Sequence, residues 1–145
     1  MRLTHRTLSH TTSDAVDLID LTPELRRLVQ ELGIRAGLLT VTSRHTTTAI
    51  TINEHERRLL DDLRDFFRRL APPEAAYRHN DIHLRDCPPD EPENAHAHLL
   101  AMVTGSSEVI PIVDGDLDLG RWQSVFLVEL DGPRKRTVSV QVIGE

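Results

Sequence analysis

Cysteine is almost missing from this sequence: 145 residues include one, Cys87. No disulfide can form within the chain, which fits a reducing compartment, and a cytoplasmic protein is expected. Aromatic residues are scarce at 3%, so leucine, valine and isoleucine must build the core. No apolar run reaches the length of a membrane span, and the opening MRLTHRTLSHTT lacks the apolar segment of a secretory signal. No membrane partner is expected. An excess of positive charge is missing too. The formal charge is −6, and the clusters Arg57-Arg58, Arg68-Arg69 and Arg134-Lys135-Arg136 are diluted by acids or sit at a turn. A nucleic acid is therefore excluded as the main partner, because binding phosphates needs a basic patch. Compact catalytic signatures are absent as well: there is no phosphate loop and no HExxH.

What is present suffices for one domain with one core, with 39% hydrophobic residues. Residues 2–9 and 15–21 read as two short strands, and the Thr-Thr-Ser-Asp between them reads as the turn of a hairpin. Thr22-Pro23 then opens a helix, with Leu25, Leu28, Val29 and Leu32 as its apolar stripe and Gly33 as its stop. In Gly37–Ser43 alternation puts Leu39, Val41 and Ser43 on one strand face, and His45 at its end. Thr46–Ile52 continues as an extended segment. Asn53, with Glu56 three residues on, predicts the cap of a helix reaching about Leu70. The apolar stripe of that helix is 59, 60, 63, 66, 67 and 70.

Residues 71–93 hold five prolines and no regular pattern, a long loop of the kind that often carries function. NAHAHLLAMVT from Asn94 to Thr104 reads as a helix capped by Asn94, with Leu99–Val103 buried on most sides. His96 and His98 stand about 200° apart on a regular helix, so they cannot both face one ion, and His98 is placed on the better-buried side. After the polar corner Gly105-Ser106-Ser107, strands follow at 108–113, 117–119, 124–130 and 136–143, with a hairpin signal at Asp114-Gly115-Asp116. This predicts an α+β fold. It is a single domain, 1–145, with a largely antiparallel or mixed sheet ending in a β-meander and about three helices on one side.

The candidate chemistry gathers at three places. These are His45 at a strand end, His79 in the long loop, and His96 and His98 at a helix start. Three imidazoles without cysteine suit Zn²⁺ with one open coordination position, and Glu54 or Glu129 could then act as a base on bound water. Glu129 shares a strand face with Val125 and Leu127, which also fits an ordinary acid of a mixed strand.

The chain resembles the YjbQ-like family. The resemblance rests on His45-Thr46-Thr47-Thr48 with Thr51-Ile52-Asn53-Glu54, on Tyr77-Arg78-His79, and on Asn94 to Leu99. It continues through Gly105-Ser106-Ser107, Ile110-Pro111-Ile112, Leu119 to Gln123, Glu129, Gly132-Pro133-Arg134, Arg136 and the closing Gly144-Glu145. It spans nearly the whole chain in order. It implies an α+β homotrimer with a polar histidine cleft that often carries a divalent metal ion, Zn²⁺ or Mg²⁺. His45, His79 and His98 fall on the family's histidine positions and are its expected metal ligands. His45, Glu54, Glu129 and Arg121 are then the catalytic candidates. Gly105, Ser106, Ser107, Asn94, Trp122 and Gln123 are the candidates for binding a small, phosphorylated substrate. The activity implied is a weak thiamine phosphate synthase, which joins a pyrimidine pyrophosphate to a thiazole phosphate and releases pyrophosphate. Arg44, Arg121 and Arg134 are the cations available for its leaving charge. Metal-assisted hydrolysis and a non-catalytic trimeric binding module are the alternatives. This chain departs from many members in having Thr47-Thr48 for Ser-Ala, and Asn80 for the Asp after the loop histidine.

Overall fold

The best strand pattern in the sequence explains the architecture. Residues 125–128, Val-Phe-Leu-Val, are apolar without alternation, which suits a strand covered on both faces. A computed structural model describes residues 1–145 and places that strand in the middle of three layers. The strands are β1 (Arg2–Thr11), β2 (Asp17–Asp20), β3 (Gly37–Ser43), β4 (Thr48–Glu54), β5 (Ser107–Val113), β6 (Asp116–Leu117), β7 (Gln123–Glu129) and β8 (Lys135–Gly144). The helices are α1 (Thr22–Leu32), α2 (Arg57–Leu70) and α3 (Ala95–Thr104). One sheet has the order β1-β8-β3-β5-β6 and the other β2-β7-β4, and every pairing is antiparallel. The fold is α+β, as expected. None of the helices is long and apolar enough to cross a membrane.

The two sheets pack face to face. Val138, Val140 and Val142 of β8 and Leu39 and Val41 of β3 meet Ile50, Val125 and Leu127 of the smaller sheet. Helix α1 adds Leu25, Leu28 and Val29 to this same core and ends at Gly33, whose φ of 65° suits glycine. On its far face the smaller sheet presents Ala49, Phe126 and Val128 to Leu60 and Phe67 of α2 and to Ala97, Leu100 and Ala101 of α3.

Several expectations are corrected. The N-terminal strands form no hairpin: β1 pairs with β8 and β2 with β7, in different sheets. The C-terminal strands form no meander, because β7 and β8 also lie in different sheets. Only two helices cover a sheet, while α1 packs into the core between the sheets. Asn53 does not cap α2. The β4 ladder runs on to Glu54, and the Glu56 side chain accepts the amides of Arg58 and Leu59. Thr22 caps no helix either; its Oγ1 accepts the amide of Val125 at 2.8 Å. The apolar faces of α2 and α3 are only partly covered: Phe66, Leu70, Leu99, Met102 and Val103 are exposed.

Candidate functional site

Strand β3 belongs to one sheet and β4 to the other, so Arg44–Thr47 crosses between layers. This is why His45 lies in a turn beyond the strand end. The crossing is pinned from below. The Ser43 hydroxyl bonds the Thr48 hydroxyl and accepts the His45 amide. Thr47, buried, accepts a hydrogen bond from the Arg136 guanidinium at 2.9 Å.

Arg136 in turn grips Glu129 with two bonds of 2.6 Å. Glu129 also accepts the Thr12 hydroxyl and the amides of Leu130 and Asp131. Five donors fill its two oxygens, and it is fully buried. Burial alone would push its pKa up. The bonds from Arg136, Asp131 and Thr12 outweigh that and hold the carboxyl below its usual range. Glu129 is therefore a fixed counter-ion beneath the crossing, with no free lone pair to act as a base.

His45 is oriented by β8. Its Nε2 accepts the Thr137 amide at 2.9 Å and lies 3.2 Å from the Thr137 hydroxyl. Burial, and then the charges of Arg136 and Arg44, lower its pKa, with Glu129 partly offsetting them. The ring is thus neutral at pH 7, with Nε2 as acceptor and the proton on Nδ1. Such a ring has no lone pair left for a metal.

The cleft beside His45 has a volume of about 400 Å³ and is lined by His45, Thr46, Thr48, His98, Ala101, Met102, Gly105 and Ser106. The Gly105 and Ser106 carbonyls accept the amides of Ile50 and Ser43, which ties this corner to both sheets at the crossing. On α3, His98, Ala101 and Met102 follow i, i+3, i+4 spacing and so share a face. The His79 ring meets His98 edge to face, 4.7 Å between centroids, and its Nε2 is buried without a hydrogen-bond partner. Burial and the neighbouring His79 lower the His98 pKa, against an opposing pull from Asp131 and Glu91. His96 faces elsewhere, lining a separate cavity of about 430 Å³ with Arg64, Arg68 and Leu100. The two α3 histidines diverge, as helical geometry requires.

Within one chain His45, His79 and His98 do not gather into a three-histidine centre. No three His, Cys, Asp or Glu side chains stand close enough to hold an ion. His79 and His98 adjoin, but Nε2 of His45 is committed to Thr137.

Other assigned residues lie outside the cleft. Asn94 is buried and donates to Asp131, and its expected capping role falls to Asn80, whose Oδ1 accepts the Ala95 amide at 3.1 Å. Ser107 begins β5 and points outward. Arg134 is bonded to Asp131. Glu54 pairs with Gln123 at the far end of the β4–β7 ladder, whereas Thr48 at the near end pairs with Glu129. Six residues of strand separate the two ends, about 20 Å. Arg121, Trp122 and Gln123 are therefore remote from His45 within one chain. The residues missed by sequence reasoning were Thr12 and Thr137. Thr137 holds His45 chiefly through its backbone amide, with its hydroxyl 3.2 Å from the same nitrogen, and an amide contact leaves no side-chain signal.

A family model described as "UPF0047 protein YjbQ-like" matches residues 6–145. This chain belongs to the YjbQ-like UPF0047 family. A UPF0047 protein of Methanothermobacter thermautotrophicus is 44% identical over 134 residues, covering 92% of this chain and 87% of its own. UPF0047 protein YugU of Bacillus subtilis is 32% identical over 139 residues, covering 96% and 98%. Among solved structures, a YbjQ-like protein of unknown function from Sulfolobus solfataricus superposes with a TM-score of 0.88 at 35% identity, covering 99% of both chains. A hypothetical protein from Aeropyrum pernix gives a TM-score of 0.88 at 38% identity, covering 98% of this chain and 99% of that one.

Proposed function

We propose that the YjbQ-like cleft between His45 and His98 binds a small phosphorylated molecule and serves a transfer reaction, with thiamine phosphate formation as the definite reaction to test. The observation that supports this most is the fixed state of His45. Thr137 occupies Nε2, so a neutral ring offers a proton donor, Nδ1–H. In this reaction the C–O bond to pyrophosphate breaks, and the thiazole nitrogen supplies the electron pair for the new C–N bond. That nitrogen carries no proton, so the step needs no general base. This agrees with a cleft that contains neither Glu54 nor Glu129. The developing charge on the leaving oxygen needs hydrogen-bond donors, and Thr46, Ser106 and the His45 ring supply them. Mg²⁺ would accompany the pyrophosphate and neutralise part of its charge. The active form in this reading is a homotrimer, about three times the 16.4 kDa chain.

The test is pyrophosphate release from the two substrates with Mg²⁺, beside elemental analysis. The expected result is saturable release by the wild type, reduced about 100-fold in His45→Ala and His98→Ala with the fold intact. No release by the wild type overturns the synthase reading. Binding without turnover would leave a binding module. One zinc per chain, lost in His79→Ala and His98→Ala, would favour metal-assisted hydrolysis.

A further inference from the structure

The cavity of about 430 Å³ that His96 lines takes no part in the reading above. Its walls come from α2, α3 and the loop before β2. Arg64, Phe67, Arg68 and Ala71 follow i, i+3, i+4, i+7 spacing, so they line it from one face of α2 and its C-terminal cap. His96 and Leu100, four residues apart, line it from α3. Phe67, Ala71, Leu100 and Leu130 are buried and make its floor apolar. The third wall, Asp14 to Val16, is a pinned turn. The Ala15 carbonyl accepts the Gly132 amide at 3.1 Å, and the Ser13 amide and hydroxyl donate to Asp17 at 3.0 and 3.1 Å. Charge on these walls is only partly used up. Arg64 is committed locally, to Asp61 at 2.9 Å and to the Val16 carbonyl at 3.4 Å. Asp131, whose charge acts on His96, is held by Asn94 and Arg134, and Glu74, the other acid acting on His96, is exposed and outside the lining. Arg68 forms no ion pair, and Asp14 has only the Ser13 hydroxyl at 3.5 Å. Nδ1 of His96 is buried without a hydrogen-bond partner.

We infer that this cavity binds a free α-amino acid with an apolar side chain. The ligand carboxylate meets Arg68, its ammonium meets Asp14, and its side chain lies on the floor of Phe67 and Leu100. His96 Nδ1 gains its missing bond from the polar end. The unpaired groups select this class. A simple carboxylate would answer Arg68 but face Asp14 uncompensated, and a simple amine would do the reverse. A neutral apolar molecule would bury part of both charges without answering either. Only a zwitterion satisfies both, and each charge-assisted bond then adds to the burial of the side chain. The volume falls within the range of about 300–1,000 Å³ common for small-molecule sites. The site is independent of the His45 cleft, because His96 and His98 diverge on α3.

The test is calorimetric titration of the full chain with L-leucine and L-phenylalanine, beside two analogues of leucine. Isocaproate lacks the ammonium and isopentylamine lacks the carboxylate. The wild type should bind at least one of the amino acids saturably. Each analogue should bind at least about tenfold more weakly than leucine. Arg68 and Asp14 are both exposed, so Arg68→Gln and Asp14→Asn should keep the far-ultraviolet spectrum of the wild type. Each should weaken leucine at least about tenfold, while Asp14→Asn should leave isocaproate no weaker. The ring protons of His96, assigned with His96→Gln, should shift in the proton spectrum when leucine is added, and those of His45 should not. No saturable binding of either amino acid overturns the inference. So does an analogue that binds as tightly as leucine, or an affinity unchanged in both charge variants. A shift at His45 in place of His96 overturns it too, because the ligand would then occupy the other cleft.

Discussion

Glu129 reaches no solvent and has five donors around it, so its worth is best read by removing a partner. Arg136→Met leaves a buried carboxylate without its counter-ion and strips Thr47 of a donor; urea unfolding at pH 7 should show a loss of about 3–5 kcal/mol. The pH dependence has a definite sign. The folded pKa of Glu129 lies below the ordinary 4.5, so the unfolded chain takes up this proton first as pH falls. The stabilisation is therefore complete above the unfolded value and is lost as pH drops through the folded one. The stability gap between wild type and Glu129→Gln should narrow on acidification, and a gap constant from pH 7 downwards would contradict the ion pair. His45 makes a separate prediction. Long-range proton–nitrogen spectra at pH 7 should show the Nδ1–H tautomer, titrating below the ordinary 6.5. A ring protonated at Nε2, or one shifted by metal, would remove the basis for the donor role. Sequence reasoning located His45 but not its state, which depends on an amide 92 residues away.

At the scale of elements, periodicity found nearly every helix and strand, and the misreadings have physical causes. The α2 stripe of six positions predicted a wholly core-facing side, but only Leu60 and Phe67 are buried. Periodicity reports which residues share a face and not whether a neighbour covers it. Phe67→Ala should cost about 3–5 kcal/mol in urea unfolding, and Phe66→Ala less than about 1 kcal/mol when the protein is dilute. Equal costs would mean that α2 is rotated from the orientation described. Asn53 fitted a capping pattern, yet the β4–β7 ladder competes for that segment and wins by pairing through Glu54. The same long-range pairing defeated the hairpin: the turn signal at residues 12–14 is real, but the chain leaves one sheet there and enters the other.

At the scale of the whole molecule, the two ends of the chain lock the larger sheet. Strands β1 and β8 pair over ten residues from Arg2↔Gly144 to Thr11↔Lys135. Beyond β8, the Glu145 carbonyl accepts the amides of Arg35 and Ala36, and the Glu145 amide donates back to Ala36. The closing Gly144-Glu145 was legible as a family feature, but its reason is steric and non-local. Gly144 faces Gly37 across the β3–β8 ladder, and a Cβ on Gly144 would strike the Ala36 carbonyl and come within 2.6 Å of Ile34 Cγ2 and 3.0 Å of Gly37 Cα. Backbone stands on two of those three sides, so the strain cannot be relieved by a side-chain rotation. Gly144→Ala should therefore force β8 away from β3 and cost about 1–3 kcal/mol in urea unfolding. The consequence reaches the cleft, because β8 also carries the Thr137 amide that orients His45. Hydrogen exchange at Thr137 should accelerate in Gly144→Ala more than exchange at Leu127 in the other sheet. Uniform acceleration across both sheets would instead mean that the two layers open together, and that the sheet bearing Thr137 has no independent control over His45.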